Sequence, residues 1–243
     1  MKTRTFLFIS FMLAAFTVTG CMHFSSDPKA SKNIVCKKYS VDAFSQINNQ
    51  APVNIVFTQG KATTVQADGP ENYIEHLTVL TRDNTLYISM GKKEFSKLRN
   101  NKIIITVSSP ELSGIAQKGV GNITLKDTVK VNEISIVSDG VGSIQTDALI
   151  AGNVYVSQRG VGSIEMQGQA AKAKYHLDGV GSMKAQNMLV TDVIVEQNGV
   201  GSVSCYASGT IDITTKGVGS VNYYGNPQVT SLNKSGIGSV NSK

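Results

Sequence analysis

A five-residue motif, Gly-x-Gly followed by Ser or Asn and then an apolar residue, occurs seven times in the second half of this 243-residue chain. The first glycines of the copies are Gly119, Gly140, Gly160, Gly179, Gly199, Gly217 and Gly236. The second glycines are Gly121, Gly142, Gly162, Gly181, Gly201, Gly219 and Gly238. Successive copies begin 18 to 21 residues apart. A period this regular indicates a repeat architecture in which each copy forms one structural unit.

Aligning the copies on the first glycine shows apolar residues at fixed positions. Four residues after it stand Ile123, Ile144, Ile164, Met183, Val203, Val221 and Val240. Four residues before it stand Ile115, Ile136, Val156, Tyr175, Val195, Ile213 and Leu232. Six residues before it stand Ile134, Val154, Ala173, Val193 and Ile211, with Thr230 breaking the pattern in the last copy. Mostly polar residues lie between these positions, and this period of two predicts half-buried strands.

A unit of about 20 residues cannot bury its apolar face alone, but stacked units bury it against one another. We therefore predict an all-β chain whose repeats, residues 111–243, form a parallel β-helix. The paired glycines are expected at a sharp corner, where a positive φ or close backbone stacking excludes a Cβ atom. The residue between the glycines is predicted to point inward and fill this corner: Val120, Val141, Val161, Val180, Val200, Val218 and Ile237.

Other repeat architectures do not fit the spacing or the residues of the motif. A leucine-rich repeat has a similar length, but its LxxLxLxxN pattern is absent, and a propeller blade needs about 40 residues. The calcium-binding nonapeptide repeat carries Asp after its Gly-x-Gly, where this chain has Ser or Asn. We therefore expect no metal and no cofactor in the solenoid.

The first 33 residues are predicted to direct the chain to the cell envelope. Residues 1–20 combine two basic residues with an apolar run and are typical of a signal peptide. Val18-Thr19-Gly20-Cys21 resembles a bacterial lipobox, which predicts that Cys21 becomes the acylated first residue of the mature protein. Residues 21–33 then form a polar tether. Some bacteria carry Asp directly after the lipidated cysteine as a signal for retention in the inner membrane, and this chain has Met22 there. This favours the outer membrane. It does not distinguish the periplasmic face of that membrane from the cell surface.

Charge excludes one class of partner. Only 16% of the residues are charged, and the net charge of +6 includes Lys2 and Arg4 of the signal peptide. The basic residues are scattered, whereas nucleic-acid binding needs a basic patch or stripe. The one dense run comprises Lys92, Lys93, Lys97, Arg99 and Lys102, interrupted by Glu94. This basic run is typical of a solvated loop. The alternative is a patch that binds an anionic glycan or faces the membrane.

Residues 34–110 also have the pattern of strands, but without the regular period. Alternation or β-branched residues predict strands over 53–58, 63–67, 86–90 and 103–107, and one or two helical turns over 71–77. This region could hold opening rungs of the same solenoid or a cap over its first rung, and solenoid ends need such protection.

A family resemblance is carried by short motifs in a fixed order. These are Phe44-Ser45-Gln46-Ile47, Val53-Asn54-Ile55 leading to Thr58-Gln59-Gly60, Leu86-Tyr87-Ile88, and the Gly-x-Gly-Ser repeats. Over residues 34–243 the chain resembles the family "putative auto-transporter adhesin, head GIN domain", common in envelope lipoproteins of Bacteroidetes. The resemblance implies a right-handed parallel β-helix, pectin-lyase-like in architecture but without catalytic residues. It supplies no functional residues to transfer.

The strongest candidate for catalysis is the position just before each first glycine. It holds Lys118, Asp139, Arg159, Asp178, Asn198, Lys216 and Ser235. Two rungs separate Asp139 from Asp178, about 9–10 Å, which suits an inverting carboxylate pair in a polysaccharide-active enzyme. The alternative, which we favour, is a surface ladder of ion pairs, because Arg159 between the carboxylates would hold both ionised.

Other candidate residues give weaker signals. His76 and His176 are isolated in sequence and His23 lies in the tether, so a catalytic triad has little support. Tyr206, Tyr223 and Tyr224 could form an aromatic platform for sugars, although ordinary half-exposed turn residues are favoured. Cys36 and Cys205 have no CxxC context, and two separately buried thiols are favoured over a disulfide.

These observations favour a non-catalytic, lipid-anchored envelope β-helix that presents a binding surface, in the manner of an adhesin. The partners expected are the membrane, through the lipid, and a glycan or an envelope or host protein. A polysaccharide-active enzyme and a periplasmic scaffold or assembly subunit remain as alternatives, and the latter could associate with further copies of itself.

Overall fold

The computed structural model describes residues 29–91 and 103–243, and these ranges form one sheet of seventeen strands with one short helix. The irregular part contains β1 Ile34–Tyr39, β2 Gln46–Asn49, β3 Asn54–Gln59, β4 Thr64–Pro70, α1 Glu71–Ile74, β5 Leu77–Arg82, β6 Thr85–Met90 and β7 Ile104–Ser109. The repeats contain β8 Gly114–Gln117, β9 Ile123–Ser138, β10 Val141–Gln158, β11 Val161–Leu177, β12 Val180–Gln197, β13 Val200–Tyr206, β14 Thr210–Thr215, β15 Val218–Tyr224, β16 Gln228–Lys234 and β17 Ile237–Ser242.

The repeats stack in parallel and in register, which confirms the predicted parallel β-helix. β10 pairs with β9 on one side and β11 on the other, and Gly142 lies opposite Gly162. From β13 onward the rungs divide into two ladders, β13–β15–β17 and β14–β16. The long strands are irregular in the middle, as between Glu165 and Gln167, where the pairing with β12 shifts. The chain therefore bends in the middle of each long strand, and it stays hydrogen-bonded to the neighbouring rungs on both sides of the bend.

The three predicted apolar columns form the core. Residues four after and four before the first glycine are buried in every rung except the last, and residues six before it are buried from Ile134 to Ile211. In the last rung Leu232 is 54% exposed, since no further rung of the described chain covers it. The largest fully buried side chain is that of Tyr175, which points inward between Val156 and Val195 of the adjacent rungs. The stacked columns make one continuous apolar interior.

The paired glycines form a corner that has no room for side chains. A Cβ atom on Gly140 would lie 2.0 Å from the carbonyl oxygen of Gly119, the equivalent residue of the preceding rung. On Gly142 it would lie 2.0 Å from the carbonyl oxygen of Gly121, and the φ angle of +139° disfavours any L side chain there. Contacts of 1.6 to 2.2 Å recur at Gly119, Gly160, Gly162, Gly179, Gly181, Gly199, Gly201, Gly217, Gly219, Gly236 and Gly238.

The prediction that the residue between the glycines points inward is wrong. From Val141 to Ile237 these side chains are 46% to 76% exposed, and Val120 is half-buried. The interior of the corner is occupied instead by residues two before the first glycine. Gln158 Nε2 donates to the carbonyl oxygen of Gly162 at 2.7 Å, and Gln117 makes the equivalent bond to Gly121 at 3.1 Å. In the first six rungs a buried side chain two residues before the first glycine occupies the corner, and the residue between the glycines lies outside it.

The irregular segment supplies both rung strands and antiparallel strands. β2 lies between β6 and β8, and β3 lies between β7 and β9, all in parallel. The rung formed by β2 and β3 is therefore inserted between two rungs that follow it in the chain. β1, β4 and β7 pair antiparallel, as do β5 and β6, whose tight turn contains Asp83 and Asn84 at positive φ. These strands extend the sheet sideways from the N-terminal rungs.

Candidate functional site

The surface with the most varied chemistry is formed by residues one, three, five and seven positions before each first glycine. We call it the outer face. It lies opposite the buried columns because alternate residues of a strand point to opposite sides. Its polar side chains are held at fixed positions by the parallel register of β9, β10, β11, β12 and β14. Neighbouring rungs are about 4.8 Å apart, so side chains of adjacent rungs can contact one another.

The predicted charge ladder is only partly formed. Arg159 binds Asp139 of the preceding rung with two hydrogen bonds, Nε to Oδ1 at 2.6 Å and Nη2 to Oδ2 at 3.0 Å. Asp178 instead accepts a hydrogen bond from Asn198 Nδ2 at 3.0 Å and contacts a histidine. The remaining members of this row, Lys118, Lys216 and Ser235, are exposed.

The interpretation of His176 as an isolated residue is wrong. Its Nδ1 atom lies 2.8 Å from Glu196 Oε2, and its Nε2 atom lies 2.6 Å from Asp178 Oδ2. Lys174 Nζ forms an ion pair with Glu196 Oε1 at 2.7 Å. With Asn198, these residues form a connected polar group that we call the His176 cluster.

The cluster holds its two carboxyl groups ionised. The hydrogen bond from His176 is the largest cause that lowers the pKa of Asp178, with Asn198 contributing in the same direction. The ion pair with Lys174 is the main cause that lowers the pKa of Glu196. An acid for glycoside cleavage needs the opposite, a raised pKa that keeps its proton at neutral pH.

Next to the cluster runs a groove of about 520 Å³, which we call the outer groove. Its apolar surface comes from Tyr155 and Ile194, which are 38% and 44% exposed. Hydrogen-bonding groups surround these two side chains: Glu133, Asn153, Lys172, Lys174, Asp192, Thr210 and Asp212. Asp192 is fixed by hydrogen bonds from the backbone and hydroxyl of Thr210. The groove thus combines an apolar floor with donors and acceptors of both charge signs.

A second exposed feature is the row of outward side chains between the paired glycines, which we call the valine ridge. It consists of Val120, Val141, Val161, Val180, Val200, Val218 and Ile237. Parallel pairing aligns the side chains, with Val161 opposite Val141 and Val180 opposite Val161. Because the flanking glycines carry no side chain, the ridge projects from the corner.

The other predicted candidates are separated from these features. Tyr206 lies opposite Tyr224 on the next rung, and both are half-buried, while Tyr223 packs against the core. Cys205 is buried but Cys36 is exposed, which corrects the expectation that both thiols are buried, and both are free. Cys21 and the basic run from Lys92 to Lys102 lie outside the described residues. Within the part of the chain that is described, no helix is long and apolar enough to cross a membrane.

Two signals in the sequence could have located the missed residues. His176 and Glu196 both stand three positions before a first glycine, so the repeat alignment places them on adjacent rungs. The buried polar column two positions before the first glycine holds Gln117, Ser138, Gln158, Gln197 and Thr215. In the other two rungs this position holds Leu177 and Lys234. The repeated glutamines indicate that the column has a structural role at the corner.

Comparison with known proteins gives the same fold. A putative adhesin from Bacteroides fragilis is 35% identical with a TM-score of 0.84, and the match covers 88% of this chain and 99% of that one. A putative adhesin from Parabacteroides merdae is 19% identical (TM-score 0.69, coverage 88% and 98%). A putative lipid binding protein from Parabacteroides distasonis is 21% identical (TM-score 0.66, coverage 87% and 98%). No functionally curated protein matches this chain.

The match extends over nearly the whole length of the crystallised Bacteroides relative. The family model matches residues 43–227, which span the irregular strands from β2 onward and six of the seven glycine motifs. The chain therefore belongs to the family "putative auto-transporter adhesin, head GIN domain".

Proposed function

We propose that this protein is a lipid-anchored, non-catalytic adhesin of the bacterial outer surface that binds an extended glycan along the outer groove. Family membership and the adhesin names of the relatives support a role in attachment. The observation that carries the proposal is the outer groove itself, in which Tyr155 and Ile194 lie among polar side chains of both charge signs.

The chemistry of the groove suits a sugar chain. An aromatic ring offers a flat apolar surface for the C–H face of a sugar, and its hydroxyl provides a polar end. Lys172, Asp192 and Asp212 supply both donors and acceptors for sugar hydroxyl groups. The backbone of the groove is already ordered in hydrogen-bonded strands, so little backbone entropy is lost when a ligand binds. The groove also crosses several successive rungs. This length suits a polymer better than a compact metabolite.

The charged row favours binding over cleavage. Asp139 is held by Arg159, and Asp178 is held by His176 and Asn198. With its pKa lowered, the Asp178 carboxyl has no proton to donate to a leaving sugar at neutral pH. The pair that the enzyme hypothesis needs is thus committed to contacts within the protein.

A glycan array tests the proposal with residues 29–243, the segment that leaves out the predicted signal peptide and most of the predicted tether. We expect binding to a subset of polysaccharides and at least about tenfold weaker binding by Tyr155→Ala, which removes a stacking surface. Tyr87→Ala, a half-buried tyrosine on β6 outside the groove, is the matched control and should bind normally. Absence of binding to neutral and acidic polysaccharides alike would contradict the proposal, and new reducing ends would favour the enzyme.

The anchor is tested separately in cells. Cys21 in its lipobox context should incorporate labelled palmitate, and several acyl chains give stable membrane attachment. Cys21→Ala should abolish the label and release the protein from the membrane fraction. A Cys36→Ala variant, which retains Cys21, is the control and should stay labelled.

A further inference from the structure

The valine ridge is conserved among the seven rungs of this chain although it is exposed. All seven positions hold Val or Ile, whereas the exposed row two residues earlier holds Lys, Asp, Arg, Asn and Ser. β-Sheet propensity alone does not explain this, since Thr is also β-branched and would suit an exposed strand position. Thr occurs at none of the seven positions. An exposed apolar row of this kind marks a contact surface.

The shape of the ridge suits a long, straight partner. Seven side chains at rungs about 4.8 Å apart make a row about 29 Å long. Gly140 and Gly142 border Val141 without side chains, and the same holds in the other rungs, so the apolar groups stand above their surroundings. One side of the ridge carries the charged row that begins at Lys118, and the other side carries the repeat serines.

We propose that the valine ridge is the interface with a second copy of this chain, packed antiparallel around a two-fold axis. In such an isologous contact the same surface of both copies is buried, so a straight apolar ridge meets its own equivalent. The two-fold axis passes between Val141 and Val161, and Val141 of each copy packs against Val161 of the partner subunit.

The charges beside the ridge support this occupant and this register. From Lys118 the row runs positive, negative, positive, negative, through Asp139, Arg159 and Asp178. With the axis between the second and third rungs, Lys118 faces the partner subunit's Asp178 and Asp139 faces the partner subunit's Arg159. The arrangement gives four pairs of opposite charge across the axis and no like-charge pair in this row. Shifting it by one rung in either direction brings like charges together, which is unfavourable.

The narrow ridge sets the expected strength of the dimer. A stable interface buries roughly 800 Å² on each partner, and a single row of side chains with one flanking row buries less. We therefore expect a weak dimer that dissociates on dilution, in the micromolar range or weaker.

The apolar part of the proposal is tested by sedimentation equilibrium of residues 29–243 up to about 1 mM, the concentration at which even a weak dimer is populated. The triple variant Val141→Thr/Val161→Thr/Val180→Thr keeps β-branching, so it should fold normally but remain monomeric. Leu80→Thr/Leu189→Thr removes two exposed apolar side chains elsewhere and should dimerise as the unchanged protein does. Unfolding temperatures of all three proteins check that the fold is intact.

The register is tested by exchanging charges. Lys118→Asp and Asp178→Lys should each weaken the dimer about tenfold or more, because each brings like charges together across the axis. The double variant should regain dimerisation. Within one copy these residues are three rungs, about 14 Å, apart, so recovery reports a contact between copies.

A protein that stays monomeric at about 1 mM would overturn the proposal, as would a dimer that the triple threonine variant leaves unchanged. Loss of glycan binding by the triple variant, without any dimer in the unchanged protein, would instead assign the ridge to a glycan.

Discussion

His176 lies opposite Glu196 of the next rung, and its Nδ1 atom is 2.8 Å from a carboxylate oxygen of Glu196. Its other ring nitrogen faces Asp178 at 2.6 Å. Both nitrogens of the ring therefore contact carboxylate oxygens. The parallel register thus assembles a cluster from residues 20 positions apart, and the two carboxylates make its contribution to stability depend on pH.

The His176 cluster should stabilise the protein at neutral pH and lose its contribution in acid. The pKa values of Asp178 and Glu196 are lower in the folded than in the unfolded protein. The two carboxylates therefore contribute their full stabilisation at pH values above their unfolded pKa values of about 4. This stabilisation disappears as the pH falls through their folded pKa values. Asp178→Asn/Glu196→Gln should be less stable by about 1 kcal/mol near pH 7, with the difference closing towards pH 3. Urea unfolding at both pH values measures this. Glu111→Gln, an exposed carboxylate outside the cluster, should show no such pH-dependent gap.

The second glycine of each motif should be intolerant of alanine. In Gly142→Ala the new Cβ would lie 2.0 Å from a backbone oxygen in a residue with φ of +139°. We expect a loss of about 3 kcal/mol or more in the free energy of unfolding, seen by chemical denaturation. Gly91→Ala is the control, because its nearest atom would be 3.6 Å away, an ordinary contact. Equal stability of the two variants would show that the corner does not depend on the missing Cβ.

The buried amides at the corner should contribute to stability through their hydrogen bonds. Gln197 Nε2 donates to the carbonyl oxygen of Gly199 at 3.1 Å, and Gln197 Oε1 accepts from Thr215 at 2.5 Å. Gln197→Leu leaves these buried partners unsatisfied, at a cost of about 1–3 kcal/mol. Thermal unfolding should show this loss, while Gln169→Leu, at an exposed position, should change little. A stable Gln197→Leu protein would mean that the corner can rearrange.

The two thiols should react at different rates. Cys36 is exposed, whereas Cys205 is fully buried and its burial raises its pKa to about 12. In residues 29–243, a thiol reagent at about pH 8 should label Cys36 first and Cys205 only after unfolding, because the fold keeps the reagent away from the buried Cys205 sulfur. Cys36→Ser should remove the fast phase and Cys205→Ser should leave it. Two fast thiols would contradict the burial of Cys205.

The sequence predicted the parts of the fold that repeat. Period-two columns identified the buried residues of β9 to β15, and the glycine spacing identified the rung. The predicted direction of Val161 and Val200 was wrong because these side chains were assumed to fill the corner, which Gln158 and Gln197 occupy instead. The position of β2 between β6 and β8 could not be predicted, since this rung is out of chain order and local patterns carry no information on such pairing. The His176 cluster was missed because the row that holds His176 and Glu196, three residues before the first glycine, was not compared across rungs.

Protease treatment of intact cells tests whether this protein is a surface adhesin. We expect the solenoid to be cleaved on intact cells while a periplasmic marker protein stays whole, and lysis should add no further cleavage. Protection of the solenoid until the cells are lysed would place it in the periplasm. That result would contradict a direct adhesive role.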